Sequence, residues 1–231
     1  MIRILDIGNT HTRIADWDGE KFCQWRVIDT DSVAEEYQEP DFPAAAACVC
    51  PEVQMALEGR GIRFISALSQ ESEVDFHLID RKTIGADRVA NAIALAEFFP
   101  LPGAVIDCGT AITLELVDEQ KRFVGGAIAP GRSLMRRSLA LGTAQLPETA
   151  LLNEVPELPG CNTQDAIGFG VGRGAIGVVR ELADAAKKMF DLKTLILTGG
   201  DAAFFHQALP EAKVCTEEFT LHGVRIAAGF R

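Results

Sequence analysis

Two short stretches hold the residues best suited to chemistry. Asp6-Ile7-Gly8-Asn9-Thr10 follows an apolar run at the N-terminus, and Asp107-Cys108-Gly109-Thr110 follows another near the middle of the chain. A strand that ends in Asp-x-Gly and doubles back puts a carboxylate and hydroxyls at the mouth of a hairpin. Glycine has no Cβ and tolerates positive φ, so the backbone can come close to a ligand there. The N–H groups of such a turn can hold an anion such as a phosphate. One copy is ordinary turn chemistry. Here the device occurs twice: laying Asp6 on Asp107 aligns Gly8 with Gly109, Thr12 with Thr113, Lys21 with Arg122 and Phe22 with Phe123, without a gap. This register points to a duplication. Two carboxylates and two anion-binding turns facing one another would suit a metal–nucleotide complex in a cleft between the halves.

A third candidate, Gly85-Ala86-Asp87-Arg88, opens the helical stretch Val89–Phe99. Asp87 falls at or next to the N-cap, where a carboxylate meets unpaired N–H groups, so a cap explains it as well as catalysis does. Gly125-Gly126-Ala127-Ile128-Ala129-Pro130-Gly131 puts glycines around an apolar strand, for close approach to a neighbouring strand or to a ligand. Arg132, Arg136 and Arg137 follow; they can meet phosphates, although such runs more often form a solvated face. Thr198-Gly199-Gly200-Asp201 ends a strand and can pass a nucleotide's sugar or base. Gly172, Gly174 and Gly177 fit GxGxxG, but no strand precedes them, so a dinucleotide fold is rejected in favour of close helix packing or a subunit interface. No GxxxxGK[ST] occurs, so any ATP site is not a P-loop.

The elements that must position these residues are legible as strands Ile2–Ile7, Thr12–Trp17 and Lys21–Ile28, a short helix Ser32–Tyr37, strand Ala44–Val49, helix Glu52–Glu58 and strand Ile62–Ser66. Residues 71–84 are irregular. Pro100 and Pro102 end the helix after Asp87 and mark a boundary near residue 101. Strands Ala104–Cys108, Ala111–Leu116 and Arg122–Ile128 repeat the opening pattern. Helix Ser133–Leu141, a loop Thr143–Pro159, a long helix Thr163–Lys188, strand Thr194–Leu197, a helix after Gly200, a strand near Val214 and helix Leu221–Phe230 complete the chain. Strands in threes followed by alternating helix and strand predict α/β halves with mixed sheets.

The 231 residues, 48% of them hydrophobic, suffice for one large domain or two small ones. A net charge of −11 argues against nucleic acid or an anionic membrane as the main partner. Met1 leads straight into the first motif, which predicts no secretory leader, and no apolar run is long enough for a bilayer. The six cysteines form no CxxC and read as buried thiols in a reducing cytoplasm.

The Asp-x-Gly hairpins and the late Thr-Gly-Gly resemble the actin, sugar-kinase and heat-shock ATPase superfamily. Within it, Asp6–Thr10, Gly85–Arg88, Asp107–Thr113 and Gly125–Gly131 stand in the order and at about the spacing of type III pantothenate kinases. Thr143-Ala144-Gln145-Leu146-Pro147 also fits, and the likeness runs from residue 1 to about 200. The resemblance implies an α/β protein of two duplicated RNase H-like (actin-like ATPase) domains, 1–101 and 102–231. Each is a mixed five-stranded sheet with helices, and the ligand cleft lies between them.

It implies ATP-dependent phosphorylation of pantothenate in coenzyme A biosynthesis by a cytoplasmic homodimer. Carried over by residue, ATP phosphates fall to Asp6, Ile7, Gly8, Asn9, Thr10, His11, Thr12 and Arg13, and to Thr110. Pantothenate falls to Gly85, Ala86, Asp87, Arg88 and Thr163, with Asp87 as base and Arg88 on the carboxylate. Asp107 would bind the family's monovalent cation, K⁺ or NH₄⁺, and Asp6 would serve Mg²⁺, directly or through water. Leu78 stands where the family often has a tyrosine contacting pantothenate. That departure leaves a kinase for another small hydroxy acid as an alternative. A nucleotide-binding regulatory protein without catalysis is the other; the intact Asp6, Asp87 and Asp107 speak against it.

Overall fold

Five strands and three helices open the chain: β1 (Ile2–Ile7), β2 (His11–Trp17), β3 (Phe22–Asp29), α1 (Val33–Glu36), β4 (Ala44–Cys48), α2 (Pro51–Leu57), β5 (Ile62–Phe64) and α3 (Ala86–Phe98). β6 (Gly103–Cys108), β7 (Ala111–Val117), β8 (Phe123–Pro130), α4 (Arg132–Gly142) and α5 (Thr163–Met189) follow. β9 (Thr194–Thr198), α6 (Ala202–His206), β10 (Lys213–Val214) and α7 (Glu218–Ala227) complete it. The computed structural model describes residues 1–154 and 157–230. The predicted loop Thr143–Pro159 holds no helix or strand over its described residues; Val155 and Pro156 lie outside them.

The strands form two five-stranded sheets, ordered β3-β2-β1-β4-β5 and β10-β9-β6-β7-β8. Read from the opposite edge, the second order is the first with each strand replaced by its counterpart, β6 for β1 through β10 for β5. In the first sheet β1 pairs antiparallel with β2 and parallel with β4, and β4 pairs parallel with β5. In the second, β6 pairs parallel with β9, and β9 with β10. The chain is therefore an α/β protein with a duplicated RNase H-like fold.

Two compact units are distinguished: residues 1–100 with 117–125 and the chain from Glu217 on, and residues 101–116 with 126–216. In the first, Ile4, Leu5 and Ile7 are all fully buried, because the sheet is covered on both faces. Leu5 and Ile7 pack with Val33, Tyr37 and Leu57 around α1 and α2. α7 packs on β1, β4 and α3. The α3–α7 approach is so close that a Cβ on Gly223 would lie 1.9 Å from the Ala90 carbonyl oxygen. Beside it the buried Thr220 hydroxyl donates to Asn91 Oδ1 at 2.8 Å.

α3 begins at Ala86, three residues before the apolar periodicity starts, with Gly85 as its N-cap. The Gly85 carbonyl already accepts from Val89 N at 3.1 Å, which draws Asp87 into the first turn. The thiols also differ from expectation. Cys108 alone is buried among the described residues, Cys161 is exposed and the rest are half-buried, because most sit at strand ends.

Gly223→Ala is expected to lower stability by about 2–3 kcal/mol, since backbone rather than a flexible side chain blocks the added methyl. Urea unfolding measures this. A midpoint equal to that of the parent would mean that α7 slides freely on α3.

Candidate active site

In the first unit, Gly8 N donates to His11 O at 3.2 Å and closes the turn Gly8-Asn9-Thr10-His11 between β1 and β2. Thr30 braces the turn from behind. Its N–H donates to Thr10 O at 3.0 Å, and its hydroxyl donates to Gly8 O at 2.8 Å and lies 3.1 Å from Thr12 Oγ1. The Cys50 thiol also donates to Gly8 O, at 3.3 Å. The Gly8, Thr10 and His11 carbonyls are thus engaged inside the unit, while the residues Asn9, Thr10 and His11 are exposed. An anion is repelled by carbonyl oxygens, so a turn that directs them inward suits a phosphate.

Ile7 and Thr12 are fully buried behind this turn. Asp6 is also buried, and Arg13 spans two carboxylates, Nη1 at 3.4 Å from Asp6 Oδ2 and Nη2 at 3.0 Å from Glu217 Oε1. Its bond to Asp6 follows from register, since the two residues are β1–β2 partners.

The start of α3 joins the same end of the sheet. Val49 N donates to Ile7 O at 3.1 Å, and a Cβ on Gly85 would lie 3.6 Å from Val49 Cγ1. That Cβ would also lie 2.5 Å from Asp87 Oδ1, so a side chain here would push the carboxylate from its present place. Arg88 N donates to Asp87 Oδ1 at 2.8 Å. Burial raises the Asp87 carboxyl above the usual carboxylate range, outweighing the opposing pull of that N–H and of the Arg88 charge. The Arg88 guanidinium lies 5.8 Å from the Phe123 ring centroid.

In the second unit, Gly109 N donates to Ala111 O at 3.0 Å, one residue tighter than the first hairpin. Two glycines close on it. Gly131 N donates to Thr110 O at 3.0 Å, and a Cβ there would collide with Gly109 O at 2.2 Å. Gly199, at φ +87°, stands where a Cβ would meet Asp107 Oδ1 at 2.4 Å and the Cys108 backbone at 2.8 Å. Asp201 N donates to Cys108 O at 2.9 Å. The Cys108 thiol is buried and its pKa pushed up by that burial, so it is no nucleophile. Thr163 begins α5. It lines an open, largely apolar groove of about 580 Å³ with Met135, Leu139, Leu146 and Ile167.

The sequence profile of the type III pantothenate kinase family matches residues 3–185. The chain belongs to that family. A type III pantothenate kinase from Akkermansia muciniphila is 30% identical, over 98% of this chain and 97% of the relative. Among solved structures, a Campylobacter jejuni protein provisionally described as a Baf family transcriptional activator aligns with TM-score 0.66 at 19% identity. It covers 96% of this chain and 95% of that one. The (R)-2-hydroxyglutaryl-CoA dehydratase component A of Acidaminococcus fermentans aligns with TM-score 0.57 at 15% identity, covering 99% and 96%. At such identities the structural likenesses speak for the fold.

A kinase of this family uses ATP and a divalent metal. No group of three or more His, Cys, Asp or Glu forms a metal cage among the described residues. Among the described residues no helix is long and apolar enough to cross a membrane.

Sequence reasoning missed Arg132. Expected on a solvated face, it is buried, with Nε and Nη2 at 2.9 and 2.5 Å from the two Asp201 carboxylate oxygens. Arg136 likewise turns back onto the Thr149 carbonyl and Glu148. The only sequence signal was the pairing of an arginine after Pro-Gly with an aspartate after Gly-Gly, and no local rule joins them.

Because the folded Asp87 carboxyl holds its proton above the usual pKa, its stabilising contribution is present at low pH and is lost as pH rises through the folded pKa. Asp87→Asn is therefore expected to melt at or above the parent at pH 7, with the advantage gone near pH 4. Calorimetry at the two pH values checks this; a mutant that is equally destabilised at both would show that the carboxylate carries no burial cost.

Proposed function

We propose that this chain transfers the γ-phosphoryl group of ATP to the 4′-hydroxyl of pantothenate, the first step of coenzyme A biosynthesis, with Asp87 as general base. The observation that supports it best is the Asp87 carboxylate, part-buried over Gly85 and linked through Val49 to the Gly8–His11 turn. Phosphoryl transfer asks for alignment, charge neutralisation and a group to take the hydroxyl proton. A carboxylate with a raised pKa is a better proton acceptor near neutral pH than an ordinary one. Arg88 pairs with the pantothenate carboxylate, and Gly85 and Ala86 let the substrate reach the first turn of α3. Thr163 lines the substrate site.

ATP phosphates lie on the exposed turn Asn9–His11, backed by Asp6, Ile7, Gly8, Thr12 and Arg13, and on Thr110 of the second hairpin. Asp6 serves Mg²⁺, directly or through water, and Asp107 a monovalent cation, K⁺ or NH₄⁺. Ions held by Asp6 and Asp107 would supply neutralisation of phosphate charge. The bare Gly199 backbone beside Asp107 favours this role, because a side chain there would collide with the carboxylate at 2.4 Å. The protein works in the cytoplasm as a homodimer. The open groove beside Thr163 and the exposed Gly170, Gly174 and Gly177 on α5 favour the dimer.

Purified protein is expected to phosphorylate pantothenate with Mg·ATP in potassium and to slow when sodium replaces it. Asp87→Asn should cut turnover by about 10²-fold or more, the usual size of a general-base effect. The acid limb of the parent's pH–rate profile should lie above the ordinary aspartate pKa of about 3.9. Turnover that survives in Asp87→Asn would remove that residue from the role of base. Turnover indifferent to the cation would remove Asp107 from its role.

A further inference from the structure

Arg132 does more than fill the second unit. Its guanidinium makes the fork to Asp201 and donates from Nη1 to Leu152 O at 2.6 Å. It also lies 3.7 Å from the Phe204 ring centroid. Every partner has a reason to matter. Asp201 directly follows the Gly199-Gly200 turn and is tied to Cys108 O. Arg132 itself directly follows Gly131, whose N–H is tied to Thr110 O. The side chain therefore fastens together the two glycine segments that lie against the Asp107–Thr110 hairpin, and it ties Leu152 of the following loop to them.

We infer that Arg132 is a positioning residue for the nucleotide, acting through Asp201 to hold the Gly199-Gly200 turn against Asp107. The inference rests on the reading of that hairpin as part of the ATP site. Neither backbone–backbone hydrogen bond alone fixes the spacing between the segments, since each has only one point of attachment. A bidentate fork has two, and guanidinium geometry matches a carboxylate in one plane. Lysine offers a single point charge and cannot reproduce it. Arg132 is buried and Asp201 half-buried; such a pair is a weak source of stability compared with apolar replacements, but removing one partner leaves the other without its counter-charge. That difference separates positioning from mere support.

The test is ATP affinity by isothermal titration, alongside melting temperature and separate KM values, for Arg132→Met, Arg132→Lys, Asp201→Asn and Arg132→Met/Asp201→Asn. Arg132→Met and Asp201→Asn are expected to weaken ATP by about 10-fold or more, the scale of a small misplacement in a built site. The pantothenate KM should stay within about threefold, since the lost interaction concerns one substrate. Arg132→Lys should recover little. The double variant, with neither buried charge left, should regain the melting temperature that Arg132→Met loses but not the ATP affinity. Recovery of both together, or a fall in melting temperature with ATP affinity unchanged, would overturn the inference. Should Arg132→Met fail to fold, Asp201→Asn and the double variant give the same readouts. A parent protein that binds ATP but leaves pantothenate untouched removes the substrate assignment and leaves this inference to be decided on ATP affinity. A parent that binds no ATP removes both.

Discussion

At the C-terminal end of β6, backbone lies against backbone more closely than a methyl group permits. Gly199 and Gly131 approach the Asp107–Thr110 hairpin from two sides, and a Cβ on either would penetrate its oxygens. The consequence is that the Asp107 carboxylate keeps space that any side chain at position 199 would take, while strand pairing with Thr198 fixes its backbone. The cost is conformational, because glycine loses more backbone entropy on folding than any other residue. The buried Arg132–Asp201 pair and the stacked Phe204 hold the arrangement from outside. Tight packing, rather than the number of polar groups, makes this end of the sheet precise.

The first unit solves a similar problem with different means. Its hairpin is one residue wider, and Thr30 rather than a glycine stands behind it, engaging carbonyl oxygens with both its N–H and its hydroxyl. The glycine constraint appears instead at Gly85, beneath the Asp87 carboxylate. That carboxylate is kept where burial disfavours its charge, which opposes stability and favours proton abstraction. Such a group is retained only where the surroundings over-determine it, and α3, on whose first turn it lies, is closely packed by α7 at Gly223.

The two sheets share one topology while their equipment differs. β4 leads through Cys48 and Cys50 into α2, whereas its counterpart β9 leads through Gly199 and Gly200 into α6. One half supplies the proposed base and an anion turn; the other supplies a glycine-lined hairpin. A common fold thus bears two specialised ends, in keeping with the rule that function resides in sites grafted onto folds.

Much of this was legible in the residues themselves. Strand–turn–strand in both halves is written in short-range patterns, as are the Asp-x-Gly turns and the long helix that begins after Asn162, because each depends on neighbours a few positions away. The duplication was visible for the same reason: aligned local patterns survive without knowledge of contacts. Helix starts were less secure. The Gly85 carbonyl recruited Ala86 and Asp87 into α3 although apolar periodicity began later. What tertiary structure alone decided is which distant backbone arrives beside each polar group. Asp107 meets Gly199, Arg132 meets Asp201, Gly223 meets Ala90, and Asp87 loses part of its water. None of these follows from propensity or period, since desolvation and close approach are properties of the assembled chain. A sequence states which groups are available for chemistry; their charge state and freedom of movement are set by what folding packs against them.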